Sequence, residues 1–281
     1  MNSGSSCDKP TSVSSERPST IYGPVDSWRL GRSLGVDLLF QSSICSFRCT
    51  YCQLGRIEVH TRQRQVFVTT ERVLDDLARS DWQSADVLTL SGSGEPTLAL
   101  NLGEVIAALK LRTDKPVMVL TNSTLLQDPA VRAELCLADK VFCKLDAATE
   151  RTFQLIDRPV DGLTLADIQD GIRRFRAEYR GYLAIQMMFT TINLAEVEAF
   201  SNFLRELQPD EVQLNTPLRP VPQGWYLDAR GNHRLEDAPY PSVPLKHLDQ
   251  DTASELVRAL REKTGLKVVS VYREPLEQHR A

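Results

Sequence analysis

A chain of 281 residues, 42% hydrophobic and 25% charged, can bury a sizeable core and needs no more than one large α/β domain. Its formal charge of −4 excludes a global basic field for non-specific nucleic-acid binding, and no apolar run approaches the ~18 residues of a membrane span. The N-terminus reads as no secretory signal, and six cysteines without a regular framework suit a reducing cytoplasm.

Residues 1 to 20, rich in Ser, Thr and Pro, predict a disordered tail that makes Cys7 incidental, with 21 to 281 as the folded domain. The Gly, Pro and Arg content of 21 to 32 predicts a shaped loop leading into a first strand at 35 to 40. In that loop Arg29 and Arg32 are either solvated surface charge or contacts for an anionic group of a ligand. Residues 57 to 68 alternate apolar and charged and predict an extended hairpin or substrate-facing segment. From there the chain alternates. Helices are predicted at 69 to 79, 102 to 111, 129 to 137, 164 to 179, 194 to 207 and 251 to 264, and strands at 86 to 90, 116 to 120, 140 to 145, 182 to 189, 211 to 214 and 266 to 271. At least six βα units in series imply an α/β fold with a parallel sheet, either a partial barrel or a doubly wound sheet. The proline-rich stretch 216 to 248, with Trp225, Tyr226, His233 and His247, predicts a lid or substrate loop, and its histidines read as loop residues rather than ligands.

The most informative stretch is Cys45-Ser-Phe-Arg-Cys49-Thr-Tyr-Cys52, a CxxxCxxC spacing directly after the first strand. Three thiols so close together suit one metal centre better than disulfides. A structural zinc site or a fully ligated iron-sulfur cluster takes four protein ligands, and no nearby cysteine or histidine is evident as a fourth. Cys136 and Cys143 are isolated in apolar settings. A three-thiolate cluster leaves one iron open to an exogenous ligand; the alternatives are three unrelated core cysteines or a fourth ligand from a partner.

Other polar residues fall at the carboxyl ends of the predicted strands, where parallel α/β folds bind ligands: Ser91 to Glu95, Thr121 and Asn122, Lys144 and Asp146, and Asn215. Strand periodicity puts Lys144 and Asp146 on one face, with Cys143 and Leu145 opposite. Asp146 either enters the site or caps the helix after it. Lys144 forms a Schiff base, binds a carboxylate or projects outward. Arg158 is a further charged candidate.

CxxxCxxC with Tyr51 before its last cysteine resembles the cluster loop of the radical S-adenosylmethionine (radical SAM) superfamily. The segment from Tyr22 to Val36, the Cys-Gln-Leu-Gly55 that ends the loop and Ser91-Gly-Ser-Gly-Glu-Pro-Thr97 resemble a group of small iron-sulfur oxidoreductases related to wyosine-base synthases of transfer RNA. The resemblance spans residues 22 to 220 and implies a partial (β/α)6 barrel with parallel strands. It implies a [4Fe-4S] cluster on Cys45, Cys49 and Cys52, with S-adenosylmethionine on the open iron. It further implies that Gly92, Ser93, Gly94 and Glu95 hold the amino group of that cosubstrate, that Tyr51 lies near its adenine, that Asn122, Asp146 and Gln186 contact its ribose or carboxylate, and that Asn215 is a further cofactor-binding residue. Lys144 and Asp146 become the catalytic candidates, a flavodoxin- or ferredoxin-type protein the electron donor, and transfer RNA one candidate substrate. The sequence lacks the N-terminal cysteines of a second cluster, so the substrate is not read from it. An activase acting on a partner protein and a non-catalytic iron-sulfur sensor or electron carrier are the other readings.

Overall fold

The computed structural model describes residues 17 to 40, 42 to 231, 233 and 236 to 272. Most of the expected tail, with Cys7, lies outside the described residues. Thr20, within the range expected to be tail, is buried, and its amide and hydroxyl both donate to Asp76 at 2.9 Å.

The chain opens with an antiparallel hairpin, β1 (Ile21–Ser27) and β2 (Gly31–Val36), where composition predicts a loop. Pro24 is tolerated because β1 is an edge strand with a register shift between Tyr22 and Val25, and Gly31 takes φ 71° where the turn enters β2. The first parallel strand thus ends at Val36 rather than at 40. Asp37 accepts the amides of Leu39 and Phe40 at 3.0 and 3.2 Å and bends the chain off the sheet. Residues 57 to 68 are not a hairpin: β3 (Ile44–Cys45) and β4 (Val59–His60) pair in parallel as a two-residue ladder.

Then come α1 (Thr70–Ala78), β5 (Val87–Leu90), α2 (Leu102–Arg112), β6 (Val117–Thr121), α3 (Pro129–Leu135), β7 (Lys140–Lys144), α4 (Glu150–Ile156) and α5 (Leu165–Glu178). They are followed by β8 (Tyr182–Met188), α6 (Val197–Leu207), β9 (Glu211–Asn215), the short antiparallel pair β10 (Val221–Pro222) and β11 (Ser242–Val243), α7 (Gln250–Thr264) and β12 (Val268–Ser270). The main sheet runs β1-β2-β5-β6-β7-β8-β9-β12, with every pair after β1/β2 parallel. It curls into a half-barrel, the partial (β/α)6 barrel of the sequence reading.

The strands are apolar because both faces are covered. Toward the helices, Leu88, Val119, Val141, Cys143, Ile185 and Val212 pack with Val73, Ile106, Phe175, Leu204 and Leu260. On the concave side Val87, Met118, Phe142 and Ala184 form a smaller cluster against Leu30, Leu120 and Tyr182. The alternation along β7 puts Phe142 and Lys144 on the concave face and Cys143 in the outer layer. Cys136, expected in an apolar setting, is exposed, because it caps the carboxyl end of a surface helix.

Candidate functional site

The cysteine loop hangs between two backbone anchors. On one side Ile44 N donates to Ser93 O at 2.8 Å and Glu95 N donates to Ile44 O at 3.0 Å. So close an approach admits no side chain: a Cβ on Gly94, at φ 149°, would stand 1.7 Å from Ile44 O. On the other side Arg48 N donates to Asp157 O at 3.0 Å and Thr50 N to Ile156 O at 2.9 Å, tying the loop to the end of α4. Asp37 joins the parts, since its carboxylate also accepts Ser93 Oγ at 2.5 Å and Arg230 Nη1 at 3.0 Å.

Cys45, Cys49 and Cys52 are free thiols, and the last two open on a cavity of about 430 Å³ inside the half-barrel. Cys45 Sγ accepts Phe47 N and Asn122 Nδ2, each at 3.4 Å. Burial pushes all three thiols up, Cys45 to about 12 with Glu95 adding to the effect. Left to themselves these buried sulfurs stay protonated, so thiolates here need the positive charge of bound metal, which deprotonates a coordinating thiol. Among the described residues no three His, Cys, Asp or Glu side chains converge on a point that would chelate a single ion. A cluster asks for something else, one thiolate for each of three separate irons, and the donor set fits that. His60, not counted near the loop from sequence, lies beside Cys45 in the β3/β4 ladder, and its Nε2 donates to Ser46 O at 3.1 Å.

Against the cysteines lies a buried charge cluster. Lys144 Nζ is 2.8 Å from Asp146 Oδ2 and also pairs with Asp157. Its ammonium lies 4.8 Å from the Phe47 ring centroid and 5.5 Å from that of Tyr51. Burial works against that ammonium, but the Asp146 and Asp157 carboxylates outweigh it and hold its pKa well above the ordinary lysine value. Burial pushes the Asp157 carboxyl up, against the pull of Lys144, and the Cys49 thiol donates to it. Tyr51 OH donates to Asp146, whose Oδ1 accepts Met188 N at 2.8 Å. Asp146 does not cap the next helix; the Thr149 side chain does, accepting Thr152 N.

Most of the predicted site residues share the cavity. Tyr51, Gly92, Gly94, Lys144, Asp146, Gln186 and Asn215 line it with Cys49 and Cys52. Ser93 and Glu95 are instead buried in the protein. Ser93 donates to Asp37, and the Glu95 carboxylate accepts Thr97 N and Oγ1, Thr121 Oγ1 and Asn122 N at 2.6–3.1 Å. Asn122, expected on the cosubstrate, sits behind Cys45. Arg32 is exposed and bonds Ser84, and Arg158 is also exposed. His233 and His247 bond the carbonyls of Asp228 and Leu245 within their own segment. Arg29 is in the cavity wall, together with Arg219 and Arg230, which sequence reasoning passed over. Asp157 was also missed; its signal was an acid at the end of a short helix, which alone says nothing about charge pairing.

The family model described as the radical SAM superfamily matches residues 41–204. A UPF0026 protein of Synechocystis is 44% identical over 252 residues, covering 88% of this chain and 94% of its own length. One from Methanocaldococcus jannaschii is 35% identical over 206 residues, covering 71% and 64%. Among solved structures, TYW1 with a lysine-pyruvate adduct bound superposes with a TM-score of 0.60 at 16% identity, over 86% of this chain and 77% of its own. Streptococcus suis SuiB bound to S-adenosylmethionine gives 0.58 at 13% identity, over 83% and 49%. At such identities the two structures speak for the fold alone.

Proposed function

The chain belongs to the radical SAM superfamily, enzymes that use a [4Fe-4S] cluster and S-adenosylmethionine, and from that premise we propose that it removes a hydrogen atom from a substrate held in the half-barrel. The observation that carries this reading is that the cluster thiols and a walled polar cavity are one site: Cys49 and Cys52 open onto the same space as Gly92, Gly94, Lys144 and Asp146. An electron carrier or sensor needs no such space. Cys45, Cys49 and Cys52 would hold the cluster, the backbone at Gly92 and Gly94 the amino end of the cosubstrate, and Tyr51, Gln186 and Asn215 its nucleoside. When bound, cluster and cosubstrate together supply, by reductive C–S cleavage, the oxidant that takes the hydrogen.

The chain's own residues do the rest. Asn122 Nδ2 and Phe47 N donate to Cys45 Sγ, and such hydrogen bonds to sulfur raise a cluster's potential. Lys144 sets a positive charge beside Cys49 and aligns Asp146 and Asp157, while Asp146 orients Tyr51. The 216 to 248 segment is proposed as the lid, supported by Thr216, Pro217, Leu218, Arg219 and Arg230 in the cavity wall. No helix among the described residues is long and apolar enough to cross a membrane. A reducing cytoplasm with a flavodoxin- or ferredoxin-type donor is the proposed setting. Transfer RNA is a candidate substrate, supported by the resemblance to wyosine-base synthases.

Anaerobically reconstituted protein, given dithionite and S-adenosylmethionine, is expected to release methionine and 5'-deoxyadenosine. A protein that carries iron and sulfide yet forms neither would return the assignment to a carrier or sensor.

A further inference from the structure

Three arginines line the cavity, and they differ in what neutralises them. Arg230 is paired with the buried Asp37 carboxylate at 3.0 Å. Arg219 Nη1 donates to Gln53, a neutral amide in the cysteine loop. Arg29 has less still: its Nε and Nη1 are buried and have no hydrogen-bond partner among the described residues, and its Cζ lies 5.3 Å from the Trp28 ring centroid. The acid whose charge it feels, Glu211, is bonded instead to Lys267 at 2.6 Å and to Gln213 Nε2 at 2.7 Å.

Burial and the neighbouring Arg219 draw Arg29 down to about 10, so the guanidinium is still charged at neutral pH. A buried charge with unsatisfied donors, facing a second cation, is costly unless something anionic completes it. A guanidinium offers a planar fork of donors that matches a carboxylate or phosphate.

Its position narrows the ligand. Arg29 stands on the turn before β2, at the amino end of the parallel strands, whereas the cysteine loop follows their carboxyl ends. A cavity of about 430 Å³ admits the anion of a small molecule or of a chain end, not the backbone of a nucleic-acid duplex. Between the two ends the wall offers polar side chains for the rest of the molecule: Ser33 and Thr89, whose hydroxyls are 2.7 Å apart, and Gln186, whose amide lies 3.4 Å from Gln213.

We infer that the substrate carries a small terminal anion, a carboxylate or a phosphate monoester, received in the cavity by Arg29 with Arg219 as the neighbouring cation. Calling its owner the substrate rests on the hydrogen-abstraction reading; the subsite itself does not.

The test uses cluster-loaded protein saturated with S-adenosylmethionine, so that the cosubstrate's own carboxylate is already placed. Thermal unfolding is followed while inorganic phosphate or acetate replaces chloride at constant ionic strength. The two anions separate a phosphate site from a carboxylate site. One of them should raise Tm saturably, by about 2–3 °C at tenfold above its dissociation constant. Arg29→Met and Arg219→Met should each weaken that response at least tenfold. Because it removes an uncompensated buried charge, Arg29→Met should also melt no lower than wild type without the anion. A wild-type protein blind to both anions, an undiminished response in Arg29→Met, or a marked loss of stability in that variant would each overturn the proposal. If instead the wild type binds the anion but forms no 5'-deoxyadenosine, the hydrogen-abstraction reading fails and the subsite stands.

Discussion

Gly94→Ala should cost the protein its cluster, and the structure says by how much. The new Cβ would lie 1.7 Å from Ile44 O, against an ordinary minimum of about 3 Å for such contacts. The cysteine loop must therefore move away from the glycine turn by more than an ångström. That separation breaks the Ile44 N to Ser93 O and Glu95 N to Ile44 O hydrogen bonds, at 2.8 and 3.0 Å, each contributing about 1 kcal/mol. Holding a residue with a side chain at positive φ adds about 1–2 kcal/mol. A loss of about 3–4 kcal/mol is a large share of an ordinary folding free energy. Gly162→Ala is the control: at φ 77° it carries the backbone cost, but nothing lies within 4 Å of its Cβ. The assay is the urea midpoint of each anaerobically purified variant, with iron and sulfide per chain after reconstitution. Gly94→Ala with the midpoint and iron content of Gly162→Ala would refute the claim that the glycine exists to seat the cysteine loop.

Cys49→Ala should abolish the visible cluster absorbance and 5'-deoxyadenosine formation together, and full turnover in that variant would sink the assignment. Asn122→Ala removes a donor to Cys45 Sγ; the cluster should still assemble but with a more negative potential by electrochemical titration, and activity about tenfold lower. Lys144 should give no borohydride-trapped adduct with pyruvate, because Asp146 and Asp157 hold its ammonium protonated; a covalent adduct found there by mass spectrometry would show that the charge cluster opens readily. Asp76 works against its own desolvation, but hydrogen bonds from Thr20, Arg72 and Arg79 hold its carboxyl below the ordinary range. The stability it adds is present above the unfolded-state pKa and is lost as pH falls through the folded value. The wild-type unfolding midpoint should thus fall on acidification below about pH 4, and Asp76→Asn should be flatter across that window.

The βα alternation was legible because strands covered on both faces, such as Val87–Leu90, are short apolar runs, and because Thr69, Thr164 and Pro129 mark helix starts. The cysteine spacing was legible for the same local reason. The opening hairpin was not, since Gly23, Pro24 and Gly31 read as loop when the edge position that tolerates them is unknown. Depth was the other blind spot. Ser93 and Glu95 stand in the same short segment as Gly92 and Gly94, yet only the glycines face the cavity. Arg29 and Arg32, three residues apart, differ in the same way: two guanidinium nitrogens of the first are buried with no hydrogen-bond partner among the described residues, and the second is on the surface. Asp157, Arg219 and Arg230 reach the site from distant segments, and no local pattern announces a tertiary neighbour.

Asp37 joins three parts of the molecule at once: its own turn after β2 through the Leu39 and Phe40 amides, the glycine segment through Ser93, and the 216 to 248 segment through Arg230. It makes that last segment self-latching. Swinging Arg230 away would strand a fully buried carboxylate without its cation, a penalty of about 3–5 kcal/mol for breaking such a pair. The proposed lid is therefore pinned beside the cysteine loop by a buried ion pair. Any movement of that proposed lid must first part the Arg230–Asp37 pair, whatever its own packing adds.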